Sequence, residues 1–414
     1  MKKILSVLLA SLMLMSFASC ADTQQNSNVE TTVAETTVDN MGFYTAPVTT
    51  PADEVVTAET DVLEWVDFAQ YNLKEDVPVK NIILMIGDGM GENIIKASEI
   101  VKGDKLVMSG IKNKTYVTTH SQSVIDGYAE FTDSAASATA ISTGVKTNNG
   151  CIGVTPDGEK LETICEFAKN LGMKTGLVDR HYICHATPAG MVAHNNSRDN
   201  YQQILREMIN SGVNVLLGGG AQYYKNSVKV QAAVEENGYK YITEEKELLD
   251  LTADDDKVLG LMAYDNMGGA DMWPSLTTMT SKALEMLNGD DGFFLMVEAS
   301  NIDIYAAKED MESTLKQMQA FDHTIDYVLN WAEDNPGTLV IVTADHETGG
   351  VQIPENAKAE DINDECFTSG GEHTNTNVLL MTAGAQANTF TENDLIDNTD
   401  IAKYMREVLN KSYK

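Results

Sequence analysis

Carboxylates stand directly after three apolar, β-rich runs of this sequence. Ile82 to Ile86 leads into Gly87-Asp88-Gly89-Met90-Gly91, Phe293 to Val297 into Glu298, and Leu339 to Ala344 into Asp345-His346-Glu347. Three carboxylates gathered at one edge repel one another unless a cation sits among them. Aspartate beside histidine suits zinc, while aspartate and glutamate oxygens suit magnesium. Each acidic residue alone is ordinary where strands meet solvent in an acidic protein; together they favour metal. A second signal is Phe131-Thr132-Asp133-Ser134-Ala135-Ala136-Ser137-Ala138-Thr139-Ala140, where Asp133 or Ser134 can cap a helix of small residues. The free amides of such a helix start would attract an anion beside the Ser134 hydroxyl. Taken alone, a serine there is usually only a cap.

These residues need a scaffold, and the pattern of the chain supplies one. Apolar runs at 82–86, 175–178, 213–217, 293–297, 339–343 and 378–381 alternate with helix-like segments at 92–101, 161–170, 200–210, 276–287 and 310–332. Continuous apolar strands alternating with helices predict an α/β fold, a mainly parallel central β-sheet covered by helices on both faces. Ligands of such sheets bind beyond the carboxyl ends of the strands, which is where the acidic residues fall. The more polar stretch 221–274, with Thr252-Ala253-Asp254-Asp255-Asp256 and Gly268-Gly269, reads as an irregular insertion over the main domain.

The chain has 414 residues with 29 Lys and Arg against 62 Asp and Glu, a formal net charge of -33. Such a field repels polyanions, so nucleic acid is not an expected partner, and an anionic substrate would require a local cation. The length excludes a disulfide-stapled miniprotein. Residues 1–20 read as an export signal: Met-Lys-Lys, an apolar run from Ile4 to Phe17, then Ala18-Ser19-Cys20. Small residues before Cys20 resemble a lipobox, although Phe17 is not the usual residue there. The expectation is an exported, cell-surface protein, lipid-anchored at Cys20, with ordinary secretion as the alternative. Residues 21–75 read as a disordered or weakly ordered acidic tether and 76–414 as the catalytic domain. Cys151, Cys165, Cys184 and Cys366 allow three pairings and read as isolated thiols.

The segments Asn81 to Gly91, Thr132 to Ala140, His185-Ala186-Thr187-Pro188-Ala189 and Thr343-Ala344-Asp345-His346-Glu347-Thr348-Gly349-Gly350 resemble, in content and order, the alkaline phosphatase family. The resemblance runs from about Val79 to Val408. It implies hydrolysis of phosphate monoesters, with Ser134 attacking phosphorus to form a phosphoserine that water hydrolyses. It implies that Asp88 is shared between zinc and magnesium, that Asp345 and His346 complete the zinc set that activates the serine, and that Thr187 and Glu298 hold magnesium. Arg198 matches the arginine that clamps phosphate oxygens. His185 stands beside the magnesium ligands without performing a chemical step. A homodimer is expected by analogy alone.

In the other zinc site of the family, an aspartate, a histidine four residues later and a distant histidine bind the metal. Asp303 and His373 match the first and last, but Ala307 occupies the intervening position. A methyl group binds no metal. Either Glu309, Asp310 or Glu372 reaches the metal, or a water completes a weaker shell, or the site is empty and turnover slow. The alternative reading is therefore a phosphate- or metal-binding lipoprotein with little turnover. Diester or sulfate-ester cleavage is disfavoured, because Ser134 lies in a monoesterase-like setting and no sulfatase-type Cys-x-Pro-x-Arg motif occurs.

Overall fold

The computed structural model describes residues 64–391 and 393–413. The strands are β1 (Asn81–Gly87), β2 (Asn113–Thr118), β3 (Lys174–Tyr182), β4 (Val215–Gly219), β5 (Lys240–Ile242) and β6 (Val258–Leu261). They continue with β7 (Phe293–Ala299), β8 (Thr338–Thr343), β9 (Glu347–Thr348), β10 (His373–Thr374), β11 (Val378–Gly384) and β12 (Leu395–Asp397). Every residue of β1, β7 and β8 is buried, because a strand apolar on both sides must lie within a sheet covered on both faces.

Ten strands form one sheet in the order β12-β2-β11-β8-β1-β7-β3-β4-β6-β5. The central pairings β8/β1, β1/β7, β7/β3 and β3/β4 are parallel, and β11 alone runs against its neighbours β8 and β2. The expected α/β architecture is what forms. Helices 92–102, 276–287 and 311–334 pack together as one group, and helices 134–143, 164–170, 186–190 and 398–412 as another.

Two boundaries differ from expectation. The stretch 221–274 does not lie over the main domain as an irregular insertion; its β5 and β6 extend the sheet in parallel beyond β4. Its longest irregular segment is 262–275, which the buried Arg180 guanidinium pins by donating to the carbonyls of Met272 (3.1 Å), Pro274 (2.6 Å), Met267 (3.3 Å) and Gly269 (2.5 Å). Nor does the tether reach residue 75: Trp65, Val66, Tyr71 and Leu73 pack against the core, and Asn72 N–H donates to Glu333 (2.5 Å). Apolar side chains there gain enough contact to offset their ordering. The expected export signal and Cys20, and the tether as far as residue 63, lie outside the described residues. Cys151, Cys165, Cys184 and Cys366 are free thiols, as expected.

Candidate active site

The carboxyl ends of β1, β7 and β8 are adjacent, with Ile86 in register with both Glu298 and Thr343. That register delivers Asp88, Glu298 and Asp345 to one place. The turn after β1 closes only with glycine at 89: its φ is +72°, and a Cβ there would meet the Thr348 hydroxyl at 2.7 Å. The same turn aims Gly89 N–H at Asp345 Oδ1 (3.1 Å), which also accepts from His346 N–H (3.0 Å). Asp345 Oδ2 is left facing the cluster without a hydrogen-bond partner.

Ser134 is the first residue of the helix Ser134–Thr143, and Asp133 is its cap, accepting from Ala136 N–H (3.0 Å). The sequence pattern allowed either residue as the cap. The small side chains of that helix allow close approach, so Ser137 Oγ donates to the Asp345 carbonyl (2.7 Å) and seats the helix on the site. Ser134 Oγ then lies 3.2 Å from His346 Nε2. Asp133 also holds the arginine. Its Oδ2 accepts from Gly150 N–H (2.8 Å) and from Arg198 Nη1 (3.0 Å), while Arg198 N–H donates to the Gly150 carbonyl (2.8 Å). Arg198 is thus fixed beside the Ser134 helix, and its Nη2 lies 3.2 Å from His185 Nε2.

The distant His373 arrives through the short ladder β9/β10, in which it pairs with Thr348. Its Nδ1 is 2.9 Å from the Thr132 carbonyl, leaving Nε2 3.5 Å from Asp303 Oδ1. His346 is oriented likewise, its Nδ1 3.2 Å from the Thr348 hydroxyl, and the two imidazoles stack with centroids 3.6 Å apart. Thr348 also donates to Asp303 Oδ1 (2.5 Å), so it joins the two clusters. Sequence reasoning assigned Thr348 no role, although it lies two residues after His346.

Two donor groups result: Asp88, Asp345 and His346; and Asp303, His346 and His373. His346 Nε2 lies 3.2 Å from Asp345 Oδ2 and 3.4 Å from Asp88 Oδ1, yet Asp88 Oδ1 and Asp345 Oδ2 make no hydrogen bond. Metal–ligand bonds of about 2.0–2.1 Å in a tetrahedron place ligand atoms roughly 3.3 Å apart. The separations therefore match ligands around a common cation. Burial, followed by the charge of Asp345, pushes the Asp88 carboxyl well above its ordinary value, and burial with Asp179 and Asp345 does the same to Glu298. A divalent cation would relieve both. Burial lowers His346 to about 4, keeping it a neutral donor, whereas at His373 the opposing hydrogen bond and charge of Asp303 win over burial and raise it to about 9.

Thr187 lies on the helix Ala186–Gly190 beside Glu298, with its hydroxyl buried and unpartnered. Every candidate named from the sequence, Ser134, Arg198, Asp88, Thr187, Glu298, Asp303, Asp345, His346, His373 and His185, falls at this edge. Of the proposed replacements for the missing histidine none joins the Asp303 group. Asp310 caps the helix Met311–Asp334 by accepting from Ser313 N–H (2.9 Å), and Glu372 is exposed.

A family model described as Alkaline phosphatase matches residues 79–365. The chain belongs to the alkaline phosphatase family. It is 36% identical to alkaline phosphatase 4 of Bacillus subtilis over 72% of this chain and 67% of that one, and 30% identical to alkaline phosphatase of Escherichia coli over 81% and 87%. Among solved structures it is similar to the alkaline phosphatase of the Antarctic bacterium TAB5, with a TM-score of 0.73, 29% identity, and coverage of 82% of this chain and 99% of that one. A variant of the TAB5 alkaline phosphatase, with one histidine replaced by glutamate, holds magnesium in a site called M3. The chain is thus an alkaline phosphatase-like phosphomonoester hydrolase whose donor groups are set on the family's scaffold.

Proposed function

We propose that Ser134 carries the hydrolysis of phosphate monoesters through a phosphoserine intermediate. The observation that carries this reading is the Ser134 hydroxyl 3.2 Å from His346 Nε2, at the edge of the Asp88, Asp345 and His346 donor group. The donor set of one imidazole and two carboxylates fits zinc, and the oxygens of Asp88, Thr187 and Glu298 fit magnesium. Bound there, zinc supplies Lewis acidity that lowers the serine hydroxyl's pKa and screens developing charge.

The chain's own groups supply the rest. Arg198, held by Asp133 and the Gly150 carbonyl, offers a planar fork to two oxygens of the transferring phosphoryl group. The unpaired amides at the start of the Ser134 helix face the same charge. Ser134 Oγ bonds to phosphorus as the ester P–O bond breaks, and the leaving oxygen takes up a proton. Water then attacks the same phosphorus, releasing inorganic phosphate and returning a proton to Ser134. Purified protein given zinc and magnesium is expected to hydrolyse an aryl phosphate at alkaline pH, and equal activity in Ser134→Ala sinks this route.

Ala307 motivates one further reading, a phosphate- or metal-binding protein that turns over poorly. Its methyl group is exposed at the end of the helix Asn301–Ala306, and no other acidic residue fills its place among the described residues. Single phosphoryl transfer without multiple turnover in the zinc-loaded protein would select that reading. Export and a lipid anchor at Cys20 belong to the same proposal, on the strength of the charged start, apolar run and small residues before Cys20. Mass spectrometry of the mature N-terminus tests them, and an unacylated Cys20 contradicts the anchor. A homodimer remains a proposal by analogy with the family.

A further inference from the structure

Glu298 does not face the cation edge alone. Asp179 of β3 is its register partner across the β3/β7 ladder, and in a parallel pair such partners point to the same face of the sheet. Asp179 is 0% exposed. Its Oδ1 accepts from His181 N–H (3.0 Å), but its Oδ2 has no partner. Around it the same condition recurs: both Glu298 carboxylate oxygens, the Thr187 hydroxyl and the Ser300 hydroxyl are buried and unpartnered. Thr187 adjoins Glu298, and Ser300 adjoins Asp179.

The one cation next in sequence does not neutralise Asp179 by hydrogen bonding. Arg180 directs both of its terminal nitrogens to four loop carbonyls instead. Two adjacent buried carboxylates that leave Asp179 Oδ2 and both Glu298 oxygens unpartnered cost several kcal/mol each unless a charge of opposite sign joins them. The unpartnered atoms of Asp179, Glu298, Thr187 and Ser300 are all oxygens. An oxygen-only donor set selects a hard divalent cation over zinc, whose soft preferences are met by imidazole.

We infer that Asp179 is an additional ligand of the hard-cation site formed by Glu298 and Thr187, giving this chain a more acidic magnesium cradle than Asp88, Thr187 and Glu298 alone provide. The inference rests on the cation site of the proposed phosphatase and adds a residue to it.

The test uses the full chain stripped of metal and titrated with MgCl2, followed by calorimetry and by melting temperature, with no substrate present. Asp179→Asn, which keeps the shape and removes the charge, is expected to weaken Mg2+ binding roughly 10- to 100-fold. Its metal-free form is expected to melt no lower than metal-free wild type. An Mg2+ affinity within twofold of wild type overturns the inference, as does a wild-type chain that binds no Mg2+. If metal-free Asp179→Asn melts well below wild type, Asp179→Glu decides: partial recovery of Mg2+ affinity supports ligation, and none overturns it. Asp179-dependent Mg2+ binding without ester hydrolysis leaves this inference standing while the catalytic reading falls.

Discussion

Asp133 Oδ2 and Arg198 Nη1 are 3.0 Å apart, and Asp133 is the residue immediately before Ser134. The carboxylate that caps the Ser134 helix thereby also holds the Arg198 guanidinium. The proposed nucleophile and phosphate clamp are therefore joined through one carboxylate.

Arg198→Lys keeps a positive charge but loses the planar fork and the geometry of the Asp133 contact. Steady-state kinetics with an aryl phosphate should show kcat/KM reduced about 10²- to 10³-fold, the scale for losing one preorganised donor to transition-state charge. A fall of less than about fivefold would argue against the clamp.

Ala307 stands where the resemblance to the family implies a metal-binding histidine. Ala307 N–H donates to the Asp303 carbonyl (2.7 Å), so position 307 lies one helical turn from Asp303 and on its side of the helix. Ala307→His should therefore bring an imidazole to the Asp303 and His373 group and tighten zinc there by roughly 10²-fold or more, each 1.4 kcal/mol being a factor of ten. Competition with a calibrated chelator measures it. Unchanged affinity would mean that the site is already complete.

Far from the site, Asp322 on the helix Met311–Asp334 accepts from Val107 N–H and Met108 N–H, both at 3.0 Å. Burial pushes its carboxyl up to about 6. The folded value lies above the ordinary value near 4, so protonation favours the folded state. Its stabilising contribution is present below about pH 4 and disappears as pH rises through 6. Between pH 5 and pH 8 wild type should lose about 1–1.5 kcal/mol relative to Asp322→Asn. Urea unfolding at the two pH values checks this, and a pH-independent difference contradicts it.

Arg180→Leu removes the four donors that hold 267–274 and leaves buried Asp179 beside an apolar side chain. Stability is expected to fall by about 3 kcal/mol or more. Limited proteolysis should find a new cut within 267–274, and wild-type resistance there would show that the loop is held by other means.

The central strands were legible because burial on both faces leaves an uninterrupted apolar run, as in β1, β7 and β8. The edge strands were not. β2 alternates exposed and buried residues, and β5 and β12 have only three residues each, so short polar-flanked segments read as loop or insertion. Asp88, Glu298 and Asp345 were legible as a cluster because strand ends in such a sheet converge. The partnership of Asp133 with Arg198 and the bridging role of Thr348 depend on side-chain directions that no spacing encodes. Asp179 was hidden for a related reason: its significance comes from its register with Glu298 on a neighbouring strand 119 residues away in the chain.

Passage of the phosphoryl group through Ser134 is the step on which the proposed reaction turns. Metal-loaded wild type should be mixed with an aryl phosphate, quenched in acid, and its peptides mapped by mass spectrometry while steady-state release of phosphate is followed in parallel. A phosphate on Ser134 is expected in the quenched protein, with neither label nor turnover in Ser134→Ala. Turnover that persists in Ser134→Ala, or a phosphorylated residue other than Ser134, would contradict it.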